Sequence, residues 1–105
     1  MEKITSYRQY EVLAALRENK AGLTTSQVLK ACRAKAGSEL PNDSTVVSKI
    51  IFSMRSVSPK PVTSMDISGG KLHKITPHGI ELLEAYEKEN AIDATEQNSP
   101  SADPD

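Results

Sequence analysis

The chain has 105 residues, 37% of them apolar, with no Trp and a single Phe, which is material for one domain with a small core. Its one cysteine, Cys32, excludes an internal disulfide framework, and no apolar run is long enough for a signal peptide or a membrane span, so the sequence reads as cytoplasmic. The net charge of -1 conceals segregation: residues 1–19 balance, residues 20–75 hold nine cations against three anions, and residues 76–105 hold one cation against eight anions. A basic middle between neutral and acidic flanks suits a polyanion such as nucleic acid, with ordinary solubility as the plainer explanation.

In chain order, Thr5 or Ser6 can cap a first helix whose apolar positions Tyr10, Leu13 and Leu16, with Val12 alongside, keep a helical period until Gly22 ends it. Thr24 stands three residues before Gln27 as a capping box, and Leu23 and Val28 take the positions of a hydrophobic staple. The second helix is expected from Thr25 to Ala36, burying Val28, Leu29 and Cys32 and stopping at Gly37. Its late cations Lys30, Arg33 and Lys35 suit the carbonyl end of the helix dipole as well as they suit a phosphate. Cys32 reads as a small buried hydrophobe rather than a reactive thiol.

Asn42 or Asp43 can cap a third helix, predicted over about residues 43–56. Val47, Ile51 and Met54 form its apolar stripe, with Ile50 beside them. Thr45, Ser48, Lys49, Phe52 and Ser56 point the other way, and this face lacks the dense Glu/Lys pairs of an idle solvated helix, which marks it as a presented surface. Phe52 has two readings: a residue covered by a folded-back Ser58-Pro59-Lys60-Pro61 segment, or an interface residue. Those two prolines force a turn. The runs Val62 to Ile67, with Met65 and Ile67 alternating, and Lys71 to Thr76, with Ile75, surround Ser68-Gly69-Gly70 and predict a hairpin. Thr76 caps a last helix that has Pro77 at its first position and an apolar stripe of Ile80, Leu83 and Tyr86, fraying near Asn90. Residues 91–105 are rich in Asp, Glu, Ser and Pro and are expected to form a disordered acidic tail after a domain over residues 1–90.

The stretch Thr24-Thr25-Ser26-Gln27-Val28 resembles the second-helix opening of winged helix-turn-helix domains, and Thr45 to Met54 resembles their recognition helix. The segment from Gly70 to Leu83 is similar to the wing strand and following helix of many bacterial and phage regulators, including the multiple-antibiotic-resistance type. The resemblance implies an α+β, mostly α, fold of three helices, a two-stranded wing hairpin and a C-terminal helix. It also implies sequence-specific binding of double-stranded DNA and transcriptional regulation, with the third helix in the major groove and a basic wing over about residues 62–76. On that reading Ser44, Thr45, Ser48, Lys49, Phe52 and Arg55 serve from the third helix, Thr25 and Ser26 from the start of the second, and Lys71 and Lys74 from the wing. The connection from Ala36 to Asn42 exceeds a tight helix-turn-helix turn, and Asp43 puts an anion near the groove-entering end. A winged helix that binds a protein through Phe52 and its serines therefore stays open, as does a homodimer through the C-terminal helix.

His73 and His78 are the only histidines, and neither belongs to a metal-ligand pattern. No nucleophilic triad, phosphate loop or dinucleotide fingerprint is present, and Gly69-Gly70 is accounted for by the hairpin turn. The sequence thus predicts no enzyme activity, no cofactor and no metal.

Overall fold

The computed structural model describes residues 1–91; the expected acidic tail falls almost entirely outside them. Four helices and a hairpin follow in the order α1 (Tyr7–Glu18), α2 (Thr25–Arg33), α3 (Ser44–Arg55), β1 (Val62–Ile67), β2 (Gly70–Ile75) and α4 (Pro77–Glu89). Ser6 caps α1, its hydroxyl accepting from the Gln9 amide, and Thr24 and Gln27 form the reciprocal capping box at α2. The expected starts hold because each depends on neighbours in sequence.

Two helices end earlier than expected. α1 stops at Glu18, where the Asn19 side-chain amide donates to Ala15 O at 3.0 Å, and Gly22 lies in the turn beyond with a φ of 109°. A side chain there would also collide with Leu72, so glycine is required by packing as well as by conformation. α2 stops at Arg33 instead of Ala36. The linker that follows is anchored by other contacts: Leu40 is buried, the Arg33 guanidinium donates to Leu40 O at 2.8 Å, and the Glu39 amide donates to the buried Glu11 carboxylate at 2.7 Å.

β1 and β2 pair antiparallel from Val62↔Ile75 to Ile67↔Gly70, so the turn is the two-residue Ser68-Gly69 and β2 begins one residue earlier than expected. Leu23 adds a short antiparallel bridge to His73 on the free side of β2, with amide-to-carbonyl distances of 3.0 and 2.8 Å. The hairpin is therefore sewn to the chain just ahead of α2. Met65 and Ile67 do not join the core; both are exposed near the hairpin tip.

The core gathers Val12, Leu13 and Leu16 of α1, Val28, Leu29 and Cys32 of α2, Val47, Ile51 and Met54 of α3, Val62 of β1, and Leu82 and Leu83 of α4. Ile80 is only half-buried, so the α4 stripe is rolled from the expected one toward Leu82. Gly79 explains the roll: it faces Pro61 O and the Ile75 side chain so closely that a Cβ would overlap both. Between α1 and α4 the Glu87 carboxylate, nearly buried, accepts from Arg17 at 3.0 and 2.6 Å and from the Tyr10 hydroxyl at 3.0 Å. No helix among the described residues is long and apolar enough to cross a membrane.

Candidate nucleic-acid interface

Burial of Val47, Ile51 and Met54 fixes the roll of α3 and turns Ser44, Thr45, Ser48, Lys49 and Phe52 outward, all exposed. Asp43, at the start of this helix, is exposed, and its carboxylate accepts from the Thr45 amide at 2.9 Å and caps the helix. Lys49 has no carboxylate partner among the described residues. Phe52 is 59% exposed, so the Ser58–Pro61 segment does not cover it; Pro61 is itself buried, with its carbonyl beside Gly79 of α4. The Arg55 guanidinium lies 5.4 Å from the Phe52 ring centroid, a cation over an aromatic face.

α3 packs against β1, and the field of Arg55 reaches Asp66 and His73 of the hairpin. The two wing cations predicted from the sequence differ in state. Lys71 stands directly across from Asp66 in the register and binds its carboxylate at 2.6 Å, which holds the Asp66 carboxyl below the usual range. Lys74 is exposed and has no ion-pair partner among the described residues. Met65 shares the Lys74 face by strand alternation and gives that side of the wing an apolar character.

At the start of α2, Ser26 is exposed, but the Thr25 hydroxyl is already engaged, 2.8 Å from His73 Nε2. Thr25 thus meets the wing as well as the solvent. His73 is a buried polar node whose Nδ1 lies 2.7 Å from Ser64 Oγ. Burial, then Arg55 and Lys71, hold its pKa below the ordinary histidine value. Nothing in the local sequence announces this node, because its side-chain partners lie on two other elements, α2 and β1. A shallow groove lined by Ser26, Leu29, Lys30, Arg33 and Asn42 runs along α2, so Lys30 and Arg33 border the same side as Ser26.

The remaining candidates do not converge into a reaction centre. Cys32 is buried, its thiol donates to Glu11 O at 3.4 Å, and burial pushes its pKa up to about 12, which makes it inert. His78 is bonded to Met1 O at the start of α4, away from His73. Among the described residues no three His, Cys, Asp or Glu side chains gather as a metal site.

The arrangement of α1 to α3, the hairpin with its Leu23 bridge, and α4 is a winged helix-turn-helix fold, and the molecule is a protein of that structural class. No protein-family model matches the chain, and no curated protein matches it in sequence. Among solved structures it is similar to the crystal structure of MepR, a transcription regulator of the Staphylococcus aureus multidrug efflux pump MepA. The two share 20% identity and a TM-score of 0.58, over 90% of this chain and 67% of that one. That likeness carries the fold.

Proposed function

We propose that this protein binds double-stranded DNA sequence-specifically and regulates transcription in the cytoplasm. α3 lies in the major groove and the wing lies against the adjacent backbone or minor groove. The observation that carries the reading is the outward face of α3, where Ser44, Thr45, Ser48, Lys49 and Phe52 are exposed together and the Asp43 carboxylate is turned to the helix cap. Short hydroxyls and a lysine can address base edges, and an aromatic can meet a thymine methyl. Ser26 and Thr25 stand at the start of α2, Arg55 closes α3, and Lys71 and Lys74 lie on opposite faces of the wing, cations suited to phosphate.

The exposed apolar side chains Phe52, Val57, Met65 and Ile67 would also serve a protein partner. The unpaired Lys49 and Lys74 beside them favour the polyanion. A homodimer through α4 gains little from its surface: Glu81, Glu84, Ala85 and Lys88 are exposed there, and none of the large exposed hydrophobics belongs to this helix. Amide chemical-shift mapping with a mixed-sequence duplex tests the interface. Shifts should concentrate on residues 44–56, the start of α2 and the wing. A footprint on α4, or none, would contradict the proposal.

A further inference from the structure

His73 is 3% exposed, at a position where an aliphatic residue would fill the same space without needing partners. Each ring nitrogen has one: Nε2 lies 2.8 Å from Oγ1 of Thr25, the first residue of α2, and Nδ1 lies 2.7 Å from Oγ of Ser64, its cross-strand neighbour. The backbone of the same residue is bonded to Leu23, just ahead of the α2 cap. One side chain thus joins β1, β2 and the beginning of α2.

Both partners are hydroxyls, and each can give or receive a proton. A neutral imidazole has one N–H and one lone pair, so the chain Ser64–His73–Thr25 must run in one direction. With the proton on Nδ1, the ring donates to Ser64 and Thr25 spends its O–H on Nε2. With the proton on Nε2, Ser64 donates to Nδ1, the ring donates to Thr25 Oγ1, and the Thr25 O–H is free for an outside acceptor. A phosphate oxygen beside Thr25 stabilises only the second order, because every donor in the chain then points toward the anion.

We infer that His73 is a positioning residue for the proposed DNA interface: in the complex it carries its proton on Nε2, and so makes the Thr25 hydroxyl a donor to a backbone phosphate. The inference rests on the DNA-binding reading. Burial and the nearby Arg55 and Lys71 keep the ring neutral, which is the state in which the chain has a direction. Lys71 lies on β2 with its charge turned to Asp66 of β1, and Arg55 lies on α3.

The test is carried out on the intact chain bound to a duplex. Side-chain ¹⁵N shifts of His73 should report the Nε2–H tautomer in the complex. Thr25→Val should weaken binding roughly tenfold or more, the scale of one hydrogen bond to a charged acceptor, with the salt dependence unchanged because a hydroxyl releases no counterion. Thr25→Ser should restore affinity, and Ser64→Ala should weaken binding while Thr25 stays in place. Thr25→Val combined with His73→Phe should lose little more than either alone. Melting curves of each variant separate folding losses from binding losses. An Nδ1–H tautomer in the complex, or a Thr25→Val variant that binds like the parent, overturns the inference while leaving DNA binding intact. A parent protein that binds no duplex refutes the DNA-binding reading itself, and this inference falls with it.

Discussion

Asp66→Asn is the perturbation that separates the two wing lysines. Lys71 Nζ lies 2.6 Å from the Asp66 carboxylate, with the lysine side chain 48% and the aspartate side chain 85% exposed, so the pair is a surface tie that solvent can reach. A phosphate approaching Lys71 must share its charge with Asp66, whereas Lys74 meets a phosphate uncompensated. Each full phosphate contact contributes about 0.9 to the slope of log affinity against log salt, or roughly 3.5-fold over a fourfold rise in salt. Lys74→Gln should therefore lower the slope by about that much, and Lys71→Gln by clearly less. Asp66→Asn releases Lys71, so it should tighten binding and steepen the slope. Fluorescence anisotropy with a labelled duplex at three or four salt concentrations measures all three, with melting temperatures as the folding control. Equal losses from the two lysine variants would refute the idea that Asp66 withholds charge. An Asp66→Asn variant indistinguishable from the parent, alongside a weakened Lys74→Gln, would remove Lys71 from the interface.

Glu87→Ala leaves the Arg17 guanidinium without its two carboxylate bonds and Tyr10 without its acceptor. Losing one partner of such a nearly buried pair costs about 3 kcal/mol. On a domain of this size that is a fall of roughly 12 to 24 °C in melting temperature, and a fall below a few degrees would show that α1 and α4 do not depend on the pair. Phe52→Ala removes a 59% exposed ring, so thermal stability should barely change while DNA binding weakens by about 1 kcal/mol or more; a large stability loss with intact binding would reverse that assignment. The pKa of His73 lies below its ordinary value of 6.5 when folded, so the unfolded chain takes up the proton first as pH falls. The stability from neutral His73 is complete above about pH 6.5 and drains away below it, toward the folded-state value. Thermal melts across that range should show this loss in the parent and much less of it in His73→Gln; identical profiles would rule out His73 as the group responsible.

The features that could be read from the sequence are those whose causes lie within a few residues. The Thr24–Gln27 box, the Thr76-Pro77 start, the Gly69 turn and the 3.6-residue stripe of Val47, Ile51 and Met54 each act locally, and each stands as expected. The outward direction of Ser48, Lys49 and Phe52 follows from that stripe. What was hidden depends on partners far away in the chain. Arg33 ends α2 and reaches forward to Leu40 across the linker, Gly79 sets the roll of α4 because Pro61 and Ile75 press on it, and Leu23 makes its bridge only because His73 is there to pair with it. The state of the wing cations was hidden for a related reason. Lys71 and Lys74 look alike in sequence, and only the hairpin register puts Asp66 opposite one and not the other.

Selection from a pool of random duplexes at low and moderate salt tests the central claim most directly. A protein whose α3 reads base edges should enrich a defined motif that survives the higher salt, since base contacts persist where phosphate contacts weaken. Ser48→Ala and Lys49→Ala should change that motif at individual positions. Retention of DNA with no enriched sequence at either salt, and no difference between the parent and those two variants, would contradict the assignment of α3 as the helix that reads DNA.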